Sequence, residues 1–178
     1  MKNKPKRKFR LFYLVYLSAK KYNVNEIIIR PATANDIEEV LLLEQEIIRH
    51  ERTIVDALKQ DEAIHYYDIP FLVADNENSL LLVVELEKEI IACGFGQVRM
   101  NEAYYKEKDF GYIGLMCVKD AHRGNGYSGM IIDRLLEWFK LKGIREVKLK
   151  VFPGNAGAIK SYSKIGFKDH MVEMKIDL

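Results

Sequence analysis

The sequence predicts an α/β chain of the α+β type, and three observations carry that reading. Along residues 26–178, short β-branched apolar runs alternate with longer runs of helical spacing. Two of the short runs adjoin across a brief polar turn, which makes an antiparallel hairpin. A glycine-rich segment, RGNGYSG at 123–129, separates another short run from a long apolar helix. A chain of 178 residues with 48% apolar and 30% charged side chains has the size and composition of one globular domain with a short appendage.

The elements follow in order. EIIIR at 26–30 is a first strand, ended by Pro31. Thr33, with Asp36 three residues later, marks a helix start. Ile37, Val40, Leu41, Ile47 and Ile48 recur at helical spacing and carry that helix to Arg49. A second, shorter helix is expected around Ile54–Ile64, then a loop through ADNENS. LLLVVEL at 80–86 and IIACGFGQVRM at 90–100 form a hairpin about the turn EKE, the second strand weakened by Gly94 and Gly96. YIGLMCV at 112–118 is the next strand. After the glycine loop, MIIDRLLEWFKLKG is a helix with Gly143 as its stop. EVKLKVF alternates charged and apolar residues as a half-exposed strand does. NAGAIKSYSKIG is a short helix stopped by Gly166, and FKDHMVEMKIDL closes as a strand. There is no internal repeat and no low-complexity linker.

Charge divides the chain at its N-terminal end. Residues 1–10 hold six basic side chains and no acid, which leaves 22 basic and 26 acidic residues in the remainder. A mildly acidic body is a poor surface for nucleic acid, and no nucleic-acid partner is expected. Residues 1–25 form a basic and aromatic extension whose apolar run, Leu11–Leu17, is too short to span a bilayer. An extra element packed on the body, contact with an anionic membrane surface, and a signal segment all fit it. Cys93 and Cys117 stand far apart and the four histidines are scattered, so neither a disulfide framework nor a zinc site is expected. That cysteine usage suits a reducing cytoplasm.

The three glycines of the loop spell G-x-G-x-x-G, but a dinucleotide fold fails in context. The next strand ends Lys150-Val151-Phe152-Pro153, with no acid for a ribose, and too few residues follow for a second half. A P-loop and a nucleophile elbow fail as well. The physics of the loop survives. Glycines let successive N–H groups turn toward an anion, and the next helix presents its positive end at the same point. Arg123 adds a full charge. Strand, loop and helix in this order suit a pyrophosphate.

At these residues the chain resembles the GNAT superfamily of acyl-CoA-dependent N-acyltransferases. That family's loop has Arg or Gln, two variable residues, Gly, one variable residue, then Gly or Ala. Arg123-Gly124-Asn125-Gly126-Tyr127-Ser128 matches, except that Ser128 stands at the last place. NAGAIKSYSKIGF matches a second element through Asn155, Ala158, Tyr162, Gly166 and Phe167, and IIIRPATANDIEEV looks like the family's first strand and helix. The resemblance covers residues 26–178. It implies a mixed, largely antiparallel central sheet with helices on both faces and a splayed strand pair forming an acyl-CoA cleft. It implies acetyl-CoA as co-substrate. Arg123, Gly124, Asn125, Gly126, Tyr127 and Ser128 would hold its pyrophosphate, Met116 and Val118 would offer backbone groups to its pantetheine arm, and Asn155 would bond it near the same cleft. Tyr162 would protonate the departing thiolate, since a phenol of pKa about 10 can supply a thiol of pKa about 8.5.

The implied activity is direct acetyl transfer to a primary amine, with a small-molecule amine acceptor as partner and a homodimer as a compatible assembly. Transfer to a protein or peptide amine, or acyl-CoA binding without turnover on a chain tethered by its basic N-terminus, are the alternatives. An alkylamine must lose a proton before it attacks, and the base is not evident. Asp109, Glu85 and Glu173 are the acids considered. Cys117, a strand cysteine, reads as core rather than as a nucleophile. Residues 44–70 carry seven acids, Glu44, Glu46, Glu51, Asp56, Asp61, Glu62 and Asp68, which fit either an acidic rim that would favour a cationic acceptor or an ordinary solvated helix face. Tyr66, Tyr67 and Phe71 wall that pocket or simply pack.

Overall fold

The computed structural model describes residues 27–74 and 77–178; the expected extension of residues 1–25 lies outside them. Five strands form one sheet in chain order: β1 (Ile28–Pro31), β2 (Ser79–Leu86), β3 (Glu89–Met100), β4 (Asp109–Val118) and β5 (Val147–Leu149). The first three pairings are antiparallel and β4–β5 is parallel. Four helices flank it: α1 (Ile37–Arg52), α2 (Ile69–Val73), α3 (Tyr127–Leu141) and α4 (Ala156–Ile165). The mixed, largely antiparallel sheet with helices on both faces is the architecture expected.

Both faces of the sheet are covered. Leu81, Val83, Cys93 and Phe95 point to the side of α1 and α2 and pack with Val40, Leu43, Ile69 and Leu72. Leu82, Val84, Ile91 and Ile113 point the other way, onto Ile131, Leu135 and Phe139 of α3. That is why β2 reads as an unbroken apolar run rather than an alternating one. The strand glycines have a use. A Cβ on Gly111 would lie 2.7 Å from the Phe139 ring, and one on Gly96 would lie 2.9 Å from it. Of the two positions that weaken β3 as a sequence pattern, Gly96 seats the Phe139 ring and Gly94 makes room for Met116 and Ile131.

Two expectations change. No helix forms over Ile54–Ile64, which is a run of turns. Its carbonyls are taken by α1 side chains: Arg52 donates to Lys59 O at 2.8 Å and to Glu62 O at 2.5 Å, and Gln45 donates to Ile64 O at 3.0 Å. The short helix lies further on, at α2, where Asp68 accepts from the Phe71 N–H at 2.9 Å. The expected strand at 167–178 forms no ladder and its apolar residues from Met171 to Leu178 are exposed. Its alternation supplies strand character, but a strand exists only by pairing. The hairpin turn is Glu87-Lys88, both left-handed at φ 52 and 70, the geometry that fits strand twist even without glycine.

The entry to α1 is held by charge. Asp36 is almost buried, and Arg30 clasps its carboxylate at 2.7 and 2.9 Å while donating to Glu85 at 2.9 Å. The Thr33 N–H and hydroxyl donate to Asp36 Oδ2 at 2.6 and 2.8 Å. The bonds to Arg30 above all hold the Asp36 carboxyl down at about 2. A depressed folded-state value stabilises above the unfolded value near 3.8 and is lost as pH falls through 2. Asp36 should therefore contribute on the order of 2 kcal/mol above pH 4. Urea unfolding of wild type and Asp36→Asn between pH 2 and 6 checks this. The wild type should lose stability across that window, and the variant should show a flatter acid limb from a lower plateau.

Candidate functional site

The parallel pair β4–β5 is short. Its ladder joins Gly111, Tyr112 and Ile113 to Val147, Lys148 and Leu149 and goes no further among the described residues. β4 continues to Val118, so Gly114–Val118 have no neighbour on that side while they keep β3 on the other. Leu115 breaks the strand's regularity with φ 52, an uncommon conformation for a branched side chain, and the β3–β4 register shifts there. A wedge thus opens at the carboxyl ends of two parallel strands, the place where open α/β sheets receive ligands.

The glycine loop meets this wedge. A single helical turn, Asp120–His122, leads from β4 to Arg123, and Gly124 and Gly126 adopt φ 82 and 83. Neither would meet an atom within 4 Å with a Cβ, so their need is conformational rather than steric. Asn125 closes the loop by donating to His122 O at 3.0 Å. The N–H groups of Gly124, Asn125 and Gly126 donate to no described residue. Those of Tyr127 and Ser128 open α3, whose first turn has no internal acceptors. Five donors and a helix N-terminus lie in sequence. Arg123 is less free than its charge suggests: it pairs with Asp120 at 2.7 Å and donates to Val118 O at 3.2 Å.

The remaining expected site residues fall around the wedge with mixed uses. Met116 lies over Gly94, where a Cβ would come within 2.6 Å of its methyl group. The carbonyl of Val118 is the one taken by Arg123. Asn155 caps α4, its Oδ1 accepting from the Ala158 N–H at 3.1 Å. Tyr162, on α4, packs edge-on to Phe167 with ring centroids 6.1 Å apart. Burial first, then the charge of Glu51 and the neighbouring Tyr112, push its hydroxyl up to about 12. It stays protonated at any physiological pH.

Other acids and thiols sort by their partners. Glu85 is bound to Arg30, Asp109 lies at the opposite end of β4, and Glu173 is in the exposed tail. Cys117 is buried and its thiol is pushed up to about 12 by that burial. Three of the seven acids of 44–70 are spent on structure. Glu62 pairs with Lys59 and Asp68 caps α2. Glu44 is wholly buried, its Oε1 accepting from the N–H groups of Tyr66 and Tyr67 at 2.9 and 3.0 Å and its Oε2 sitting 2.7 Å from His65 Nδ1. It clamps the loop that carries two tyrosines into the site. The Tyr67 ring packs edge-on to Phe95 at 4.8 Å, and its hydroxyl lies 3.4 Å from that of Tyr112. Arg99 stacks on the Tyr112 ring, 3.6 Å from its centre. Sequence reasoning missed Tyr112 and the Leu115 bulge, which carry no local motif. Among the described residues there is no cluster of metal-binding side chains and no helix long and apolar enough to cross a membrane.

Known proteins share this arrangement. Residues 40–167 match the Acetyltransferase (GNAT) family. A curated relative, the uncharacterized N-acetyltransferase YobR of Bacillus subtilis (strain 168), is 41% identical over 59 residues, which is 32% of this chain and 24% of that protein. The chain thus spans about a quarter of the length of that relative. The BH1408 protein from Bacillus halodurans superposes with a TM-score of 0.74 at 24% identity, over 85% of this chain and 99% of that one. A predicted acetyltransferase with acetyl-CoA from Clostridium acetobutylicum gives 0.68 at 21%, over 85% and 96%.

The Glu44 clamp has a measurable weight. Glu44→Ala leaves two buried N–H groups without an acceptor and should cost about 3 kcal/mol. A fall in Tm of roughly 6–12 °C by calorimetry is the expected reading for a chain of this size.

Proposed function

The chain belongs to the acetyltransferase (GNAT) family, and from that premise we propose that it moves an acetyl group from acetyl-CoA directly to a primary amine of a small molecule. The observation that carries the proposal is the parting of β4 from β5 immediately before a glycine loop and helix N-terminus. The cleft is a slot edged by unpaired backbone groups, with an anion cradle at its mouth. A long, amide-containing thiol ester with a pyrophosphate fits both parts.

In this reading the N–H groups of Gly124, Asn125, Gly126, Tyr127 and Ser128 hold the pyrophosphate. Arg123 sets the loop's shape through Asp120 and Val118 and adds what charge that pairing leaves. Backbone groups near Met116 and Val118 bond the pantetheine arm as an added strand would. The Asn155 side-chain amide donates to the same arm while its oxygen caps α4. A backbone N–H beside the Leu115 bulge steadies the oxygen of the tetrahedral intermediate. Tyr162 delivers a proton to the sulfur as the carbon–sulfur bond breaks. Its raised pKa makes it a reserve of that proton rather than a phenolate. Cys117 has no part, since a buried protonated thiol is neither accessible nor nucleophilic.

Release of free CoA thiol from acetyl-CoA, read against polyamines, aminoglycosides, amino acids and short peptides, tests the reaction and sorts small-molecule from peptide acceptors. Tyr162→Phe should lower kcat by about 10²–10⁴. Its affinity for acetyl-CoA by calorimetry should match wild type. Tight acetyl-CoA binding with no turnover on any acceptor would instead identify a binding module.

A further inference from the structure

Glu44 and Glu51 are seven residues apart on α1, so they share one helix face. Both carboxylate oxygens of Glu44 are engaged on that face. Glu51, on the last turn, does not: its Oε2 is buried with no hydrogen-bond partner. The Tyr66 hydroxyl, brought alongside by the loop that Glu44 clamps, is likewise buried and unpartnered. Two polar atoms from different elements thus lie side by side, out of water, close enough for the phenol to hold the carboxyl down and the carboxyl to push the phenol up, yet without a well-formed hydrogen bond. Folds seldom leave such groups unpaired, because each costs about 1–3 kcal/mol. Glu51 as a whole is only half-buried.

The position is next to the chemistry. A Cβ on Gly154 would lie 3.3 Å from the Ile54 side chain, so the end of α1 abuts the loop that opens α4. Tyr162, on α4, senses the Glu51 charge. The groups facing Glu51 are Tyr66 from the loop before α2, Tyr162 from α4, and His50 on its own helix. No cation from another element neutralises it among the described residues.

We propose that Glu51 is the acid that receives the acceptor's ammonium group and takes its proton, with Tyr66 orienting the carboxylate, so that the acceptor is a primary alkylammonium ion. This rests on the acetyltransfer reading above. The protons balance. Glu51 Oε1 takes one from the ammonium and later releases it to solvent. The freed nitrogen lone pair forms the carbon–nitrogen bond, the carbon–sulfur bond breaks, and Tyr162 protonates the thiolate. Tyr162 then recovers its proton from the nitrogen of the protonated amide left by that cleavage, leaving a neutral amide. Burial raises the Glu51 carboxyl above its ordinary range, which brings it nearer the pKa a base needs at neutral pH. Tyr66 is a positioning residue, its hydroxyl beside the Glu51 carboxyl.

The test compares wild type, Glu51→Gln and Tyr66→Phe with acetyl-CoA and four probes: phenethylamine, cadaverine, spermidine and kanamycin. Glu51→Gln should lower kcat/KM for the amine that wild type uses best by about 10²–10⁴. Its acetyl-CoA affinity by calorimetry should be unchanged and its Tm equal to or above wild type, because an unsatisfied buried charge is removed. Tyr66→Phe should raise the amine KM several-fold and leave kcat within about threefold. Glu51→Gln activity within threefold of wild type, or a lower Tm with proportional loss of acetyl-CoA binding, overturns the role of Glu51. Turnover of none of the four amines overturns the acceptor class. Failure to bind acetyl-CoA at all overturns the acetyltransfer reading instead, which separates the two.

Discussion

The three-residue ladder between β4 and β5 is the constraint on which the rest depends. A parallel pair buried under helices ordinarily pairs along its length, since unpaired backbone groups are costly. Here β4 runs five residues beyond the last paired position. The sheet can sustain this because β4 stays paired with β3 on either side of the bulge at Leu115–Met116, which re-aims the strand where the β5 pairing stops. The glycine loop follows from it, since the chain leaving β4 must turn at once into α3 to cover the sheet face. The same turn that satisfies packing aligns free N–H groups with the open slot.

Much of this was legible in the residues because the cues are local. Gly124 and Gly126 announce positive φ, Gly143 and Gly166 stop two helices, and apolar periodicity marks α1, α3 and the β2–β3 hairpin. What was hidden is non-local. Nothing near Ile54–Ile64 reveals that Arg52 and Gln45 will take its carbonyls, so a helix looked reasonable. Residues 167–178 alternate as a strand does, yet pairing depends on an edge elsewhere. The glycines of β3 looked like weakness until Phe139 was seen to rest on one of them.

The candidate site divides along the same line. The phosphate loop and Tyr162 lie in contiguous motifs, and those could be read directly. Seven acids in 44–70 could be counted but not sorted, because their fates depend on partners far along the chain. Glu44 became a buried clamp through residues 65–67, and Glu85 was committed to Arg30. Composition suggested an acidic rim, whereas the fold spends Glu44, Glu62 and Asp68 on its own construction and buries Glu51 Oε2 without a well-formed hydrogen bond.

That remainder couples the two ends of the reaction. The Glu51 charge is among the causes that hold the Tyr162 hydroxyl near 12, after burial itself. While Glu51 is ionised, Tyr162 keeps its proton and cannot interfere with the incoming amine. Once Glu51 has taken a proton from the ammonium group, its contribution to the Tyr162 pKa vanishes, and the phenol becomes a better acid. This occurs as the thiolate begins to need a proton. The two groups need no direct hydrogen bond for this, only proximity in a site poor in water, where charges are felt strongly. A neutral phenolic acid and a carboxylate base, each shifted upward by burial and one by the other, thus act in sequence rather than in competition.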